Sequence, residues 1–213
     1  MTSRRKGHDM AMKRTLAVLT IATLAGVGTA AAQATGTPSY NAPYRAFVHH
    51  EFGGTVSFPS GGVDWALEGQ YRFGTGPWDI GARGGVAHAG GVLDETIVLV
   101  GAEGRARVIS HTEDFPIDGA IVLGGGFNFD GGTTFLAPVG LSLGRRLNIE
   151  NSNLSVVPYA QPTLFFLAGG GSTDLQFGLG LGADLRLSRA ADFRFSASLG
   201  DVEGVSLGLV FVR

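Results

Sequence analysis

The chain has 213 residues, a formal net charge of −2, no cysteine and 35 glycines, with 44% hydrophobic and only 16% charged residues. The missing cysteines exclude disulfides and thiolate-bound metal, and a near-neutral balance supplies no basic face for nucleic acid. Glycine stands at more than twice its usual share of about 7%, yet so much apolar content excludes a disordered linker.

Lys13 and Arg14 precede an apolar run over residues 16–28, followed by the small residues Thr29, Ala30, Ala31 and Ala32. A charged start, a short apolar middle and a small-residue end make an export signal, with cleavage expected after Ala32. The run is too short for a spanning helix, which needs about 20 residues. Residues 1–32 are thus assigned to the signal, with Met10 or Met12 as alternative starts. Residues 33–43, which carry Pro and Gly, are expected to be a flexible lead-in to a barrel domain over 44–213.

Past that point the chain alternates apolar and polar residues, the period of a strand with two different faces. The first segment covers about residues 44–57, with Arg45, His49 and Glu51 on one face and Ala46, Val48 and Phe52 on the other. The second, 63–73, sets Val63, Trp65, Leu67, Tyr71 and Phe73 against Asp64, Glu68, Gln70 and Arg72. A third starts at Trp78 and a fourth covers 96–109, with Val98 and Val100 opposing Glu103, Arg105 and Arg107. The fifth and sixth cover 118–129 and 133–147 and meet at the turn Asp130-Gly131-Gly132. The seventh, 154–167, contains Pro158 and Pro162, which lack an amide donor and suggest an edge, a bulge or a locally unpaired stretch.

The eighth segment is the most regular. From 175 to 187 every odd residue is apolar, while the even ones are Gln176, Gly178, Gly180, Gly182, Asp184 and Arg186. Thirteen unbroken residues exceed the five or six usual in soluble strands, and they suit a tilted membrane strand of roughly 9–11. Two further segments, near 193–199 and 205–211, complete about ten. Their short connections imply an antiparallel meander, and closing it removes the edges that lipid could not satisfy. The expected fold is all-β, a closed antiparallel up-and-down transmembrane barrel of about ten strands, with eight as the alternative.

By parity the polar faces carry Glu51, Asp64, Glu68, Arg72, Asp79, Arg83, Glu103, Arg105, Arg107, Arg146, Asp184, Arg186 and Arg194. Of these, Glu51, Glu68, Arg72, Arg83, Glu103, Arg105, Arg107, Arg146, Asp184 and Arg186 are expected to line the lumen, interlocked as ion pairs. Glycines on the same faces, such as Gly124, Gly126 and Gly180, leave room for a channel. His49 and His50 point to opposite faces and cannot share one metal ion, and the glycine runs at 124–126 and 169–171 lack the Lys of a phosphate loop. No catalytic, cofactor or metal site is expected.

Signal, cysteine-free glycine-rich meander and amphipathic last strand together resemble the small outer-membrane β-barrel proteins of Gram-negative bacteria. That resemblance implies outer-membrane lipids as the surroundings, an insertion machinery as a partner during biogenesis, and a monomer. In that family the last strand often ends in an aromatic residue, whereas here Phe211 is followed by Val212 and Arg213. Tyr44, Phe58, Tyr71, Phe73, Trp78, Phe129 and Phe135 would form interfacial girdles. The expected role is structural, in membrane integrity, with a partly filled lumen. The alternatives are a small non-specific pore and a secreted soluble barrel that binds a ligand. The soluble form would bury Leu179 and Leu181 and wet Asp184 and Arg186. With a periplasmic N-terminus, the turns near Ser60, Gly91, Gly131, Gly171 and Glu203 face the outside.

Overall fold

The structure, a computed structural model, describes residues 33–43, 50–91, 94–152 and 154–213. The export signal at 1–32 lies outside the described residues, as do Tyr44, Arg45, Ala46, Val48 and His49 of the first expected strand.

The two-residue alternation becomes ten long strands among the described residues: β1 (Glu51–Pro59), β2 (Trp65–Thr75), β3 (Trp78–Ala89), β4 (Glu95–Ile109), β5 (Asp118–Phe129), β6 (Thr134–Gly144), β7 (Ser155–Gly169), β8 (Ser172–Arg186), β9 (Ala191–Gly200) and β10 (Gly204–Val212). Each pairs antiparallel with its sequence neighbours, and β1 pairs with β10 from Glu51↔Val212 to Pro59↔Gly204. The meander is therefore a closed up-and-down barrel, with ten strands rather than eight. A two-residue ladder, Leu147–Asn148, also pairs with the start of β7. The β7–β8 turn shows why glycine punctuates the chain. Gly170 and Gly171, at φ 58° and 82°, form the two-residue connection between the paired Gly169 and Ser172.

β7 is more regular than its prolines suggest. It is 15 residues long and pairs continuously with β8, including Pro158↔Ala183 and Pro162↔Leu179. On its β6 side the ladder skips from Gly140↔Thr163 to Leu143↔Ala160, so the missing amide of Pro162 costs a gap and not the strand. A similar gap faces Pro138, between Leu123↔Val139 and Gly126↔Leu136. One bulge falls at Val108, where the β4–β5 register shifts between Arg107 and Ile109.

The mouth that holds residues 50 and 213 also carries the two longest connections, 110–117 and 145–154. The opposite mouth carries the shorter turns near Ser60, Gly91, Gly131, Gly171 and Glu203. Around the wall the outward face is apolar: Leu67, Ile80, Val100, Leu123, Leu164, Leu181 and Leu207 are all exposed. Aromatic residues cluster toward both mouths. Tyr71, Phe73, Trp78 and Phe211 lie near the terminal one, and Phe58, Trp65, Phe129 and Phe135 near the other. Leu181 is 40% exposed and Asp184 is fully buried. The barrel thus turns its leucines out and its charges in, which contradicts the soluble arrangement.

Closure depends on a close approach at Gly53, opposite Val210. A Cβ built there would come within 2.9 Å of the Val210 Cα and closer still to the Leu209 carbonyl. At Gly54, whose neighbour Phe52 marks the outward face, the nearest atom would be 3.6 Å away. Gly53→Val is therefore expected to block the β1–β10 seam, while Gly54→Val leaves it intact. Refolding yield in detergent, read by protease resistance and by β-sheet circular dichroism, checks the contrast.

Candidate functional site

The lumen is lined by charges that meet across neighbouring strands. Asp79 on β3 stands opposite Arg105 on β4, whose Nε donates to both carboxylate oxygens at 3.2 and 3.0 Å. Arg72 on β2 donates its Nε to Asp79 at 3.1 Å and reaches Glu103 with Nη1. On the other side of the barrel, Arg194 of β9 faces Asp184 of β8 and forms a fork of two 2.9 Å bonds with it. Glu51 of β1 comes within 3.7 Å of the same guanidinium. Between these groups, Arg83 donates to Gln70 at 3.0 Å and stands 3.7 Å from Glu68. Charge taken out of water is costly unless it is paired and hydrogen-bonded, and this wall pairs its charges with each other.

Not every expected lumen residue joins. Glu51, Glu68, Arg72, Arg83, Glu103, Arg105 and Asp184 are buried in the interior, together with Asp79 and Arg194. Arg107 is half-buried near the terminal mouth. Arg186 is at that same rim, 3.6 Å from Asp192 and about a quarter exposed (26%). Arg146 departs from expectation: it is exposed, because β6 ends at Gly144 and Arg146 belongs to the connection that follows. Asp64 is also exposed, ahead of the first residue of β2. His50 lies against the Phe73 ring with centroids 4.7 Å apart, and no group of three or more His, Asp or Glu among the described residues could hold a metal ion.

The largest departure is residues 33–43. Expected as a flexible lead-in, they are buried along their whole length inside the barrel. The segment has no charged side chain, and the wall binds its backbone. Ser196 and Ser206 donate to the Pro38 carbonyl at 2.9 and 3.2 Å, and Arg83 donates to that of Ser39 at 3.3 Å. Tyr159 reaches the Tyr40 carbonyl at 2.9 Å, Ser142 that of Asn41 at 3.0 Å, and Arg105 that of Ala42. Its side chains bind as well: Thr37 donates to Glu68, Tyr40 meets Ser198 at 2.8 Å, and Asn41 donates to Glu103 at 3.0 Å. Asn41 also accepts from Arg194, so a single amide links the two charge clusters across the lumen.

The inward glycines are the sockets of this plug. A Cβ on Gly180 would lie 2.5 Å from the Tyr40 ring, and one on Gly101 would lie 2.8 Å from the Ala34 Cβ. Gly126 lies against the Ala34 carbonyl, and Gly81 leaves room for the Arg72 side chain. The space that the sequence offers for a channel is therefore occupied. Beside Thr35, Ala66, Ala87 and Leu99 only about 40 Å³ is left, room for little more than a water or two.

Two signals in the sequence pointed toward this site. Asp184-Leu185-Arg186 and Asp192-Phe193-Arg194, laid antiparallel, place Asp opposite Arg twice, as the register Asp184↔Arg194 and Arg186↔Asp192 shows. An uncharged stretch with Ser, Thr, Tyr and Asn, placed just before a glycine-studded barrel, is the second.

No protein-family model matches the chain, and no curated protein matches it. Among solved structures, it resembles one described as de novo design of transmembrane β-barrels, at 9% identity and a TM-score of 0.39, covering 82% of this chain and 98% of that one. It also resembles the β-domain of the Bordetella autotransporter BrkA, at 12% identity and a TM-score of 0.49, covering 77% of this chain and 98% of that one.

Arg194→Ala is expected to cost about 3–5 kcal/mol, because it leaves Asp184 buried without its partner. The exposed Arg189→Ala should stay within about 0.5 kcal/mol of the parent. Denaturant unfolding in detergent micelles measures both.

Proposed function

We propose that the chain is an integral outer-membrane β-barrel whose resting lumen is sealed by residues 33–43, serving a structural, membrane-integrity role. The observation that carries this reading is the radial inversion, with an apolar, aromatic-fringed outside running around the closed wall and paired charges inside. Soluble monomers rarely expose contiguous apolar patches beyond a few hundred Å², whereas a barrel in lipid needs an outward apolar band. The ring with no open edge supports the same reading, because hydrocarbon offers nothing to satisfy unpaired backbone groups. The export signal supplies the route, and outer-membrane lipids are the partner that covers the leucine face.

An even number of strands puts both termini on one side, which for an exported chain is the periplasm. The connections 110–117 and 145–154 then face inward and the shorter turns face out, so protease added to intact cells spares both connections. The native protein should fractionate with outer membranes, and unheated samples should migrate differently from boiled ones on a gel. Leu181→Lys should lower stability in lipid by about 2–4 kcal/mol, the cost of a cation on the lipid face near the bilayer centre. A heat-insensitive monomer that stays soluble, with Leu181→Lys neutral, would refute the membrane reading.

A further inference from the structure

We propose that residues 33–43 are a releasable gate, latched at Tyr40, Asn41 and Ala42, and that its withdrawal opens a path for small hydrophilic solutes and ions. The proposal rests on the membrane-barrel reading and adds an activity to it.

Three observations set the plug apart from the wall. First, the wall charges do not depend on it: Arg72, Asp79, Glu103 and Arg105 form one paired cluster among themselves, and Arg194 with Asp184 forms another. Removing the segment leaves both clusters paired. Second, the segment has no charged side chain and is hydrophilic, so its release into water leaves no side-chain ion behind and exposes little apolar surface beyond the Tyr40 ring. Third, its two halves are held unequally. In the first half, both amide atoms of Gln33 and the hydroxyls of Thr35 and Ser39 are buried without a hydrogen-bond partner among the described residues. Such groups gain by meeting water.

At the other half, Tyr40, Asn41 and Ala42 together engage Tyr159, Ser142, Arg105, Glu103, Arg194 and Ser196. Tyr40 is also the segment's one large apolar anchor, buried with Phe165 and Tyr159. The second half is therefore the principal latch; Thr37, Pro38 and Ser39 add fewer bonds, to Glu68, Ser196, Ser206 and Arg83, which break as the first half follows. The vacated path would be floored by Gly101, Gly126 and Gly180, with charges of both signs already paired along it. That lining favours small polar solutes with weak preference for either sign of charge.

The absence of native cysteine gives a clean probe. In the full-length protein, Ala34→Cys places one thiol on the buried segment, 1% exposed at this position. A charged, water-soluble thiol reagent should label it slowly. Adding Asn41→Ala should raise the labelling rate about tenfold to a hundredfold, the effect of losing charge-assisted hydrogen bonds. In planar bilayers with potassium chloride the parent should be silent and Asn41→Ala should show discrete conductance steps, with Tyr40→Ala as a second latch variant. If the unheated gel form shows that either variant is folded, yet labelling is unchanged and the bilayer stays silent, the gate is refuted and the sealed barrel stands. If no form of the protein inserts at all, both readings fall together.

Discussion

A guanidinium held away from water must find its counter-charge within a few ångströms, and four of them organise the inside of this barrel. Arg72, Arg83, Arg105 and Arg194 are long enough to lie across the lumen, and each meets its carboxylate from an adjacent or nearby strand. The pairing ties strand to strand through side chains as well as through the backbone ladder. It also fixes register: a slip of one residue would turn every arginine outward and every leucine inward. The outward apolar face and the inward charged face are one constraint seen from two sides.

That constraint explains where glycine is used. Arg72 and the Tyr159 phenol each cross the space that a side chain on Gly81 or Gly182 would need. Elsewhere the same economy makes room for the N-terminal segment, whose Ala34 and Tyr40 rest on Gly101, Gly126 and Gly180. Beside the glycines that make the turns, part of the glycine content is therefore a negative image of what fills the lumen.

The barrel itself was legible in the alternation. The outward Leu, Val and Phe and the inward Glu, Asp and Arg of β2, β4 and β8 follow parity without exception at the charged positions, because the pleat allows only two directions. Where parity misled, a local feature intervened: β6 stops at Gly144 and leaves Arg146 on a connection. Of the outcomes that the prolines of β7 allowed, the locally unpaired stretch is the one found: the missing amide of Pro162 leaves one gap in the β6 ladder and the strand continues. The plug shows in the sequence only as an uncharged polar stretch, without a period that would give it a structure. Residues 33–43 have no period and no apolar face; what orders them is the wall, built by residues far along the chain. Their partners, Glu68, Ser142, Tyr159, Arg194 and Ser206, become neighbours only after closure.

The route taken by this segment has a topological consequence. Ala42 is bound near the mouth where β1 begins, and only residues 44–49 separate the plug from that strand's approach. The segment therefore meets the opening at which the wall starts. Once the signal is removed after Ala32, the segment can slide in or out through that opening without any strand passing through a finished ring or parting from its neighbour.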